Sequence, residues 1–287
     1  MVPVNPLVQA TQLSAELLRI RSERRLKASA VAEALGWSGS KVSRYETHKT
    51  GVTVGDVERL LDYYDVHGAE RARLLTLAHG TQIKAWWEDY DGDFLPGQAE
   101  MIGFEQGAET IQAWQPDTIP DLLQTDGYAE AVIASYADVA SLPPVAVPRL
   151  VRLRQHRKRV LNRKPAPAIT MLIDEAVLHR PAGGNEVMRQ QLERLAGWGE
   201  ELGCLTVRVL PHGSPARLAS GPFTVFGFGG APGLPDVVSI EHMRGVEFCR
   251  SEEDAWFYLL AFGRMAAAAL DTRASRSLIL KAAREYD

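Results

Sequence analysis

Three side chains near the start of the chain have the types and the spacing that contact with DNA requires. Ser40, Lys41 and Arg44 are separated by three or four residues, so a helix there places all three on one face. Lysine and arginine donate hydrogen bonds to guanine edges or phosphates, and serine can contact either. The segment therefore predicts a helix whose outer face touches DNA.

The surrounding residues extend this predicted surface. Gly39 and Ser40 would expose backbone amides at the helix start, where a phosphate is favoured. Residues 19–49 carry eight Lys/Arg against three Glu, a local excess of positive charge that suits a DNA contact better than a hairpin that binds nothing. The full predicted DNA-binding set is Lys27, Ser29, Ser38, Gly39, Ser40, Lys41, Ser43, Arg44, His48 and Lys49.

The elements that position these residues match a helix-turn-helix. This motif needs two short helices joined by a tight turn, with the second helix entering the major groove. In residues 28–46, Ala32 permits close helix approach, Gly36 ends the first helix and Ser38 is predicted to cap the second. Val42 and Tyr45 are predicted to face inward.

Further helices complete an all-α N-terminal domain, predicted over residues 1–80. Leu13, Leu17 and Ile20 form one apolar helix face. Thr53 followed by Asp56 resembles a capping box that opens a fourth helix, and a fifth is predicted over about 69–78.

The remaining residues, 81–287, predict an α+β domain that is mostly helical with a small mixed sheet. The strand–helix–strand order over 168–210 favours a parallel crossover. Helices are predicted at about 99–112, 121–137, 146–162, 186–202, 252–270 and 274–285, and strands at 168–173, 205–210, 223–228 and 237–241.

Two blocks of opposite charge lie in this second domain. Residues 81–121 carry nine acids and one Lys, whereas residues 139–173 carry eight Lys/Arg and no acid. Such blocks either meet different partners or pair with each other. We predict that they pair in the free protein, and that the basic helix is structural or faces a partner. Candidate ligand or partner contacts are Trp86, Trp87, Arg152, Arg157 and Arg159.

Other residue patterns predict neither catalysis nor a bound metal or cofactor. A metal site is one interpretation of Asp174, Glu175 and His179, but the three supply only one imidazole and make a weak ligand set. A strand-to-helix junction is the preferred interpretation. The glycines over 227–233 have neither the GxGxxG spacing nor the P-loop spacing of a phosphate-binding loop, and predict a hairpin turn. Cys204 and Cys249 are expected in the core, and two cysteines favour a reduced cytosol. Neither a signal peptide nor a membrane span is expected, so we predict a cytoplasmic protein.

Residues 13–65 resemble the Xre/lambda-repressor-like helix-turn-helix family, most closely in LGWSGSKVSRYE, residues 35–46. Two departures stand out. Lys27 and Ala28 occupy positions where the family often has a capping Ser/Thr followed by Gln, and Gly39 stands where it often has Gln. The family's glutamine contacts are therefore not carried over to this chain.

The rest of the chain resembles the long C-terminal domain of a regulator group from high-GC Gram-positive bacteria. Asp121 stands where that group usually has Gly. The resemblance implies a transcriptional regulator, often encoded beside a small acidic or toxin-like protein as its antitoxin-like partner, and supplies no catalytic residues. It is carried by Trp86-Trp87, IPDLLQTDGYAEA (119–131), DEAVLHRP (174–181), RQQLERL (189–195) and GPFTVFGF (221–228).

Three functional hypotheses follow, in order of preference. The first is a transcriptional regulator that binds double-stranded DNA, with a C-terminal domain for homodimerisation and protein-partner binding. A dimer is expected because one short recognition helix reads only a few base pairs. The second is a regulator whose C-terminal domain binds a small-molecule effector. The third, ranked last, is an enzyme with an accessory DNA-binding head.

Overall fold

The structure is a computed structural model that describes residues 5–48, 50–90, 92, 94–137, 139, 142–216, 221–230 and 234–287. The chain divides into two units by its internal contacts. One is built from the residues up to Glu88, and the other from most of the chain from Asp89 onward. We call them the head and the C-terminal unit. The boundary predicted near residue 80 stays a prediction.

The head is all-helical, as predicted. Its amphipathic helices bury one face each, and Leu13, Leu17 and Ile20 of the first helix pack into a core with Val57 and Leu61. The helices are α1 (Pro6–Glu23), α2 (Ala28–Ala34), α3 (Lys41–Glu46), α4 (Val54–Tyr63) and α5 (Gly68–Gly80).

The two capping predictions in the head have different outcomes. Thr53 caps α4 as predicted, because its hydroxyl accepts a hydrogen bond from the backbone amide of Asp56 at 3.2 Å. Ser38 does not cap α3. A turn closed by the Lys41 amide and the Ser38 carbonyl, at 2.9 Å, delays the helix to Lys41, and Ser40 at its N-cap makes no side-chain capping bond.

The C-terminal unit is built on one mixed six-stranded sheet. Its strands are β1 (Thr110–Gln115), β2 (Ala168–Asp174), β3 (Leu205–Leu210), β4 (Phe223–Gly227), β5 (Val237–His242) and β6 (Gly245–Cys249). They lie in the order β3-β2-β1-β4-β5-β6. Strands β3, β2 and β1 pair in parallel. Strand β4 pairs antiparallel with β1, β5 with β4, and β6 with β5. The predicted crossover is confirmed, since a helix (185–201) links two parallel neighbours.

Six α-helices of this unit lie among the described residues. They are α6 (Gln98–Gly107), α7 (Asp126–Ala137), α8 (Ala146–Arg157), α9 (Asn185–Glu201), α10 (Glu252–Ala268) and α11 (Thr272–Ala283). One face of the sheet packs against α10, where Trp114 and Phe223 meet Phe262 and Met265. Within the described residues, no helix is long and apolar enough to cross a membrane.

Two strands were not predicted. The predicted helix 99–112 ends as α6 at Gly107, and β1 begins at Thr110 in the middle of the sheet. Its sequence, TIQAWQ, interrupts the apolar pattern with two glutamines, although Trp114 is fully buried. The edge strand β6 was also missed. It is five residues long, and a tight turn at Met243 and Arg244 joins it to β5.

Candidate nucleic-acid interface

The turn between α2 and α3 requires a glycine. Gly36 has a φ of +67°, a backbone conformation that side chains with a Cβ disfavour. The Trp37 amide donates to the Ala32 carbonyl at 2.8 Å, and the Gly36 amide donates to the Glu33 carbonyl at 3.0 Å. This pair of bonds is the Schellman motif that closes a helix C-terminus. It fixes the angle at which α3 leaves α2.

Helix α3 is tied to α4 through Asp56, which contacts Lys41 at the start of α3 and Tyr45 near its end. The Tyr45 hydroxyl donates to Asp56 at 2.6 Å, and the Lys41 ammonium lies 3.0 Å from the same carboxylate. Burial alone would raise the pKa of Asp56, but its hydrogen bonds from Tyr45, Lys41 and Thr53 outweigh burial and lower it. The carboxylate is therefore charged at neutral pH and holds the helix on its inner side.

The last turn of α3 is tied to α1. Arg21 donates two hydrogen bonds to the buried Glu46 carboxylate, of 2.6 and 2.8 Å, and a third to the Leu26 carbonyl. A bidentate guanidinium–carboxylate pair fixes both distance and orientation. Because Asp56 holds Lys41 and Tyr45 while Arg21 holds Glu46, this six-residue helix has one orientation in the head.

Lys41 faces inward more than the sequence suggested. Its ammonium lies 4.2 Å from the centre of the Trp37 ring, and Arg59 stacks over the same ring at 5.1 Å. Partial burial lowers the pKa of Lys41, but its hydrogen bonds to Asp56 and Tyr45 raise it overall. The side chain is committed to the head's own structure.

The other predicted DNA contacts are mostly exposed. Arg44 makes no ion pair with any described residue, so its guanidinium is available to a ligand. His48, just after α3, is half-buried with a φ of +54°. Lys49 lies outside the described residues. The exposed members are Lys27, Ser29, Ser38, Gly39, Ser40, Ser43 and Arg44.

The predicted pairing of the two charge blocks is confirmed at two arginines. Arg157 lies 2.8 Å from both Glu105 and Asp121, and Arg154 lies 3.4 Å from Asp121. Burial would raise the pKa of Asp121, but the two guanidiniums lower it. Arg157 is only 7% exposed, and this burial excludes it as a partner contact on the outer surface. Arg152 and Arg159 are exposed.

The two neighbouring tryptophans differ in exposure. Trp86 is half-buried and Trp87 is buried, with their rings edge-to-face at 5.7 Å. Trp87 also lines a cavity of about 280 Å³ in the head, beside the start of α1. The indole of Trp87 is thus largely a packing element.

The residues of the weak metal pattern have structural roles. Asp174 accepts a hydrogen bond from the Ala176 amide, Glu175 accepts one from the His212 amide at 2.6 Å, and His179 lies 3.2 Å from Glu285. In the described part of the chain, no group of three or more His, Cys, Asp or Glu is arranged to hold a metal ion.

Comparison with known families agrees with this division of the chain. A helix-turn-helix domain matches residues 12–74, which supports a DNA-binding regulator, and a domain of unknown function, DUF5753, matches residues 98–281. No curated protein and no solved structure matches the chain. Since the second match spans well over half of the 287 residues, the chain belongs to the DUF5753 family.

Proposed function

We propose that this protein is a sequence-specific transcriptional regulator of the Xre/lambda-repressor type, and that α3 reads double-stranded DNA in the major groove. The observation that carries the proposal is the way α3 is held. Its inner side chains bind α1 and α4, while Arg44 and Ser43 stay exposed on its outer side. A fixed helix with a free polar face is what base reading requires.

The predicted contact residues divide into two roles. Arg44 reads a base edge, because it is the exposed cation of α3 without an internal partner among the described residues. Phosphates or bases next to the one that Arg44 reads are contacted by Ser40, Ser43, Lys27 and Ser29. Lys41 acts as a positioning residue, because its ammonium holds Asp56 and the Trp37 ring.

The test uses the full-length protein and a duplex enriched from genomic fragments. Binding to the selected duplex and to random duplex is measured over a range of salt concentrations. Log affinity should fall linearly with log salt, because Lys/Arg contacts release counterions. Arg44→Ala should weaken specific binding more than non-specific binding, whereas the matched surface variant Arg159→Ala should leave both unchanged. Failure to enrich any fragment would overturn the proposal.

We propose in addition that two copies associate through the outer face of α10. Trp256, Phe257 and Leu260 are 64%, 61% and 43% exposed on this helix. Glu253 and Arg264 flank them on the same face, about 16 Å apart along the axis. An antiparallel pair of α10 helices would place each Glu253 beside Arg264 of the partner subunit and bury the aromatic centre.

A charge exchange tests this dimer. Glu253→Arg and Arg264→Glu should each weaken association in light scattering, because each places like charges together. The double exchange should restore it, and Glu252→Arg serves as the control. A monomeric wild type, both free and on DNA, would contradict the proposal. So would a double exchange that fails to recover the dimer.

The remaining assignments rest on the same reading. We propose that this DNA-binding regulator acts in the cytoplasm, and we assign it no catalytic activity. The exposed Arg152 and Arg159 offer positive charge to a small acidic, toxin-like partner encoded nearby, the antitoxin-like role. The second candidate function, effector binding by the C-terminal unit, is favoured by a cavity in that unit.

A further inference from the structure

The C-terminal unit contains a cavity of about 460 Å³. Pockets of roughly 300–1,000 Å³ commonly hold small molecules. The walls come from α6, α7 and α8 and are mainly apolar, with side chains including Met101, Ile102, Val132, Ile133, Leu150 and Leu153. The cavity therefore has the size and the lining of a small-molecule site.

Its position in the sheet agrees with this reading. Beyond its apolar walls, the cavity is lined by Asp117 and Thr118, just after β1, and by Pro222, just before β4. Strand β1 has a parallel neighbour on one side and an antiparallel neighbour on the other. Crevices beyond the carboxyl ends of strands, where the order of an open sheet changes, are common binding positions.

One end of the cavity is charged, and its charges do not balance. Arg157 is paired with Glu105 and Asp121, and Arg154 donates to Gln124 at 2.6 Å and lies near Asp121. These two guanidiniums thus match two carboxylates.

Glu241 is the third carboxylate of this cluster and lacks a cation of its own. It lines the cavity at the end of β5. The one hydrogen bond that its carboxylate makes with a described residue comes from the Gln115 side-chain amide, at 3.4 Å. A carboxylate in surplus over the cations around it is a position that a ligand's positive charge would complete.

We propose that this cavity binds a small amphipathic organic cation, with its apolar body between α6, α7 and α8 and its ammonium group against Glu241. A ligand carboxylate would fit poorly, because it would meet Asp121 and Glu241 while both arginines are already engaged. A neutral apolar molecule would fill the walls but leave the surplus carboxylate unmatched.

The ionisation of Glu241 supports the same ligand. Burial and the charge of Asp121 raise the pKa of Glu241 to about 7, although Arg157 and Arg154 pull it down. A bound ammonium favours the charged form of Glu241. Near neutral pH, where part of the protein carries a protonated Glu241, binding therefore releases a proton. The other charged or titratable groups that line the cavity are Asp117 after β1, Asp121 before α7, Tyr136 on α7, Arg154 and Arg157 on α8 and His242 on β5. Glu105 on α6 does not line it but pairs with Arg157.

The test compares three probes that share one apolar body: phenylbutylamine, phenylbutanol and phenylbutanoate. Each is titrated calorimetrically into the full-length protein near pH 8, where Glu241 is mostly ionised and the amine is still protonated. The amine should bind roughly tenfold or more tightly than the carboxylate. Binding of the amine should weaken near pH 6, as Glu241 takes up its proton.

Two variants connect the preference to one residue. Glu241→Gln should reduce amine affinity roughly tenfold and leave phenylbutanol binding unchanged, because only the charge is removed. Glu130→Gln, an exposed change on α7, should leave all three affinities as in the wild type. Equal or tighter binding of the carboxylate, amine binding that Glu241→Gln does not affect, or saturable binding by none of the probes would overturn the proposal.

As an effector site, the cavity depends on the proposed DNA-binding function. The titrations contain no DNA, so failure of one proposal leaves the other intact. If both hold, the amine should change the affinity of the full-length protein for its selected duplex, and Glu241→Gln should abolish that change.

Discussion

The two basic segments of the chain, residues 19–49 and 149–164, differ in where their charges are neutralised. In the C-terminal unit, Arg154 and Arg157 are turned toward the acids of the preceding block. In the head, Arg21 and Lys41 are also paired internally, but Arg44 stays exposed on the helix that the motif assigns to DNA. Each segment carries eight Lys/Arg, so charge count alone does not distinguish them.

The difference teaches that the position of matching acids decides what a basic segment does. A cation that already holds a buried carboxylate contributes to the fold, and removing it leaves an unpaired charge inside. A cation without such a partner keeps its donors for a ligand. Removing a cation that holds a buried carboxylate should therefore lower the free energy of unfolding. Removing a cation without such a partner should lower the affinity for the ligand.

The largest expected effect is on the stability of the C-terminal unit. Arg157→Ala leaves Glu105 and Asp121 without their shared guanidinium, and should lower the free energy of unfolding by about 3–5 kcal/mol. Urea denaturation measures it. Arg159→Ala, two residues further along and exposed, should stay within about 0.5 kcal/mol of wild type. Equal stability of the two variants would mean that the buried pairs contribute nothing.

The next effect depends on pH and concerns the surplus acid of the same cluster. Because the folded pKa of Glu241, about 7, exceeds its ordinary value of 4.5, its contribution to stability is full below the ordinary value and is lost as pH rises through 7. Glu241→Gln avoids that loss. It should be more stable than wild type by on the order of 1–3 kcal/mol near pH 8, with little difference near pH 4. A stability difference independent of pH would contradict the raised pKa.

A pair of effects of similar or smaller size separates two cations of the head. Arg44→Ala should cost about 1–3 kcal/mol of binding to the selected duplex without changing stability. Lys41→Ala should lower both binding and stability, the latter by about 1 kcal/mol, because Asp56 loses one of its partners. Thermal unfolding beside DNA titration distinguishes the two. If Lys41→Ala changes binding alone, then Lys41 contacts DNA directly.

The sequence predicted the parts of the fold that local patterns determine. Periodic apolar residues located the helices, and apolar runs located β2, β3, β4 and β5. Strand β1 was missed because its buried position depends on neighbours far along the chain, Ala168 and Gly227 at its first residue. Opposite charge blocks predicted that pairing occurs, but only the packing of α8 shows that Arg157 is buried and Arg159 is not.

The sites follow the same rule. The shared exposure of Ser40 and Arg44 could be predicted, because residues four apart lie on one helix face. The inward role of Lys41 could not, since its partner, Asp56, lies on another helix. The cavity gave no local signal at all, because its walls come from three helices and its charged end combines α8, the segment before α7 and strand β5.

The smallest expected effect is the sharpest check of the comparison. Reversing Arg152 and Arg159 together to Glu should leave both the affinity for the selected duplex and its salt dependence near wild type, because DNA contact belongs to the head. Arg157 is excluded from this variant, since reversing a buried, paired arginine would disturb the fold and imitate a loss of binding. Each phosphate contact contributes roughly 0.9 to the slope of log affinity against log salt. A slope shallower by about two units, in a variant with unchanged unfolding, would show that both arginines touch phosphates and that the second basic segment also binds DNA. An unchanged slope together with weaker binding of a small acidic partner would instead assign these two cations to that partner.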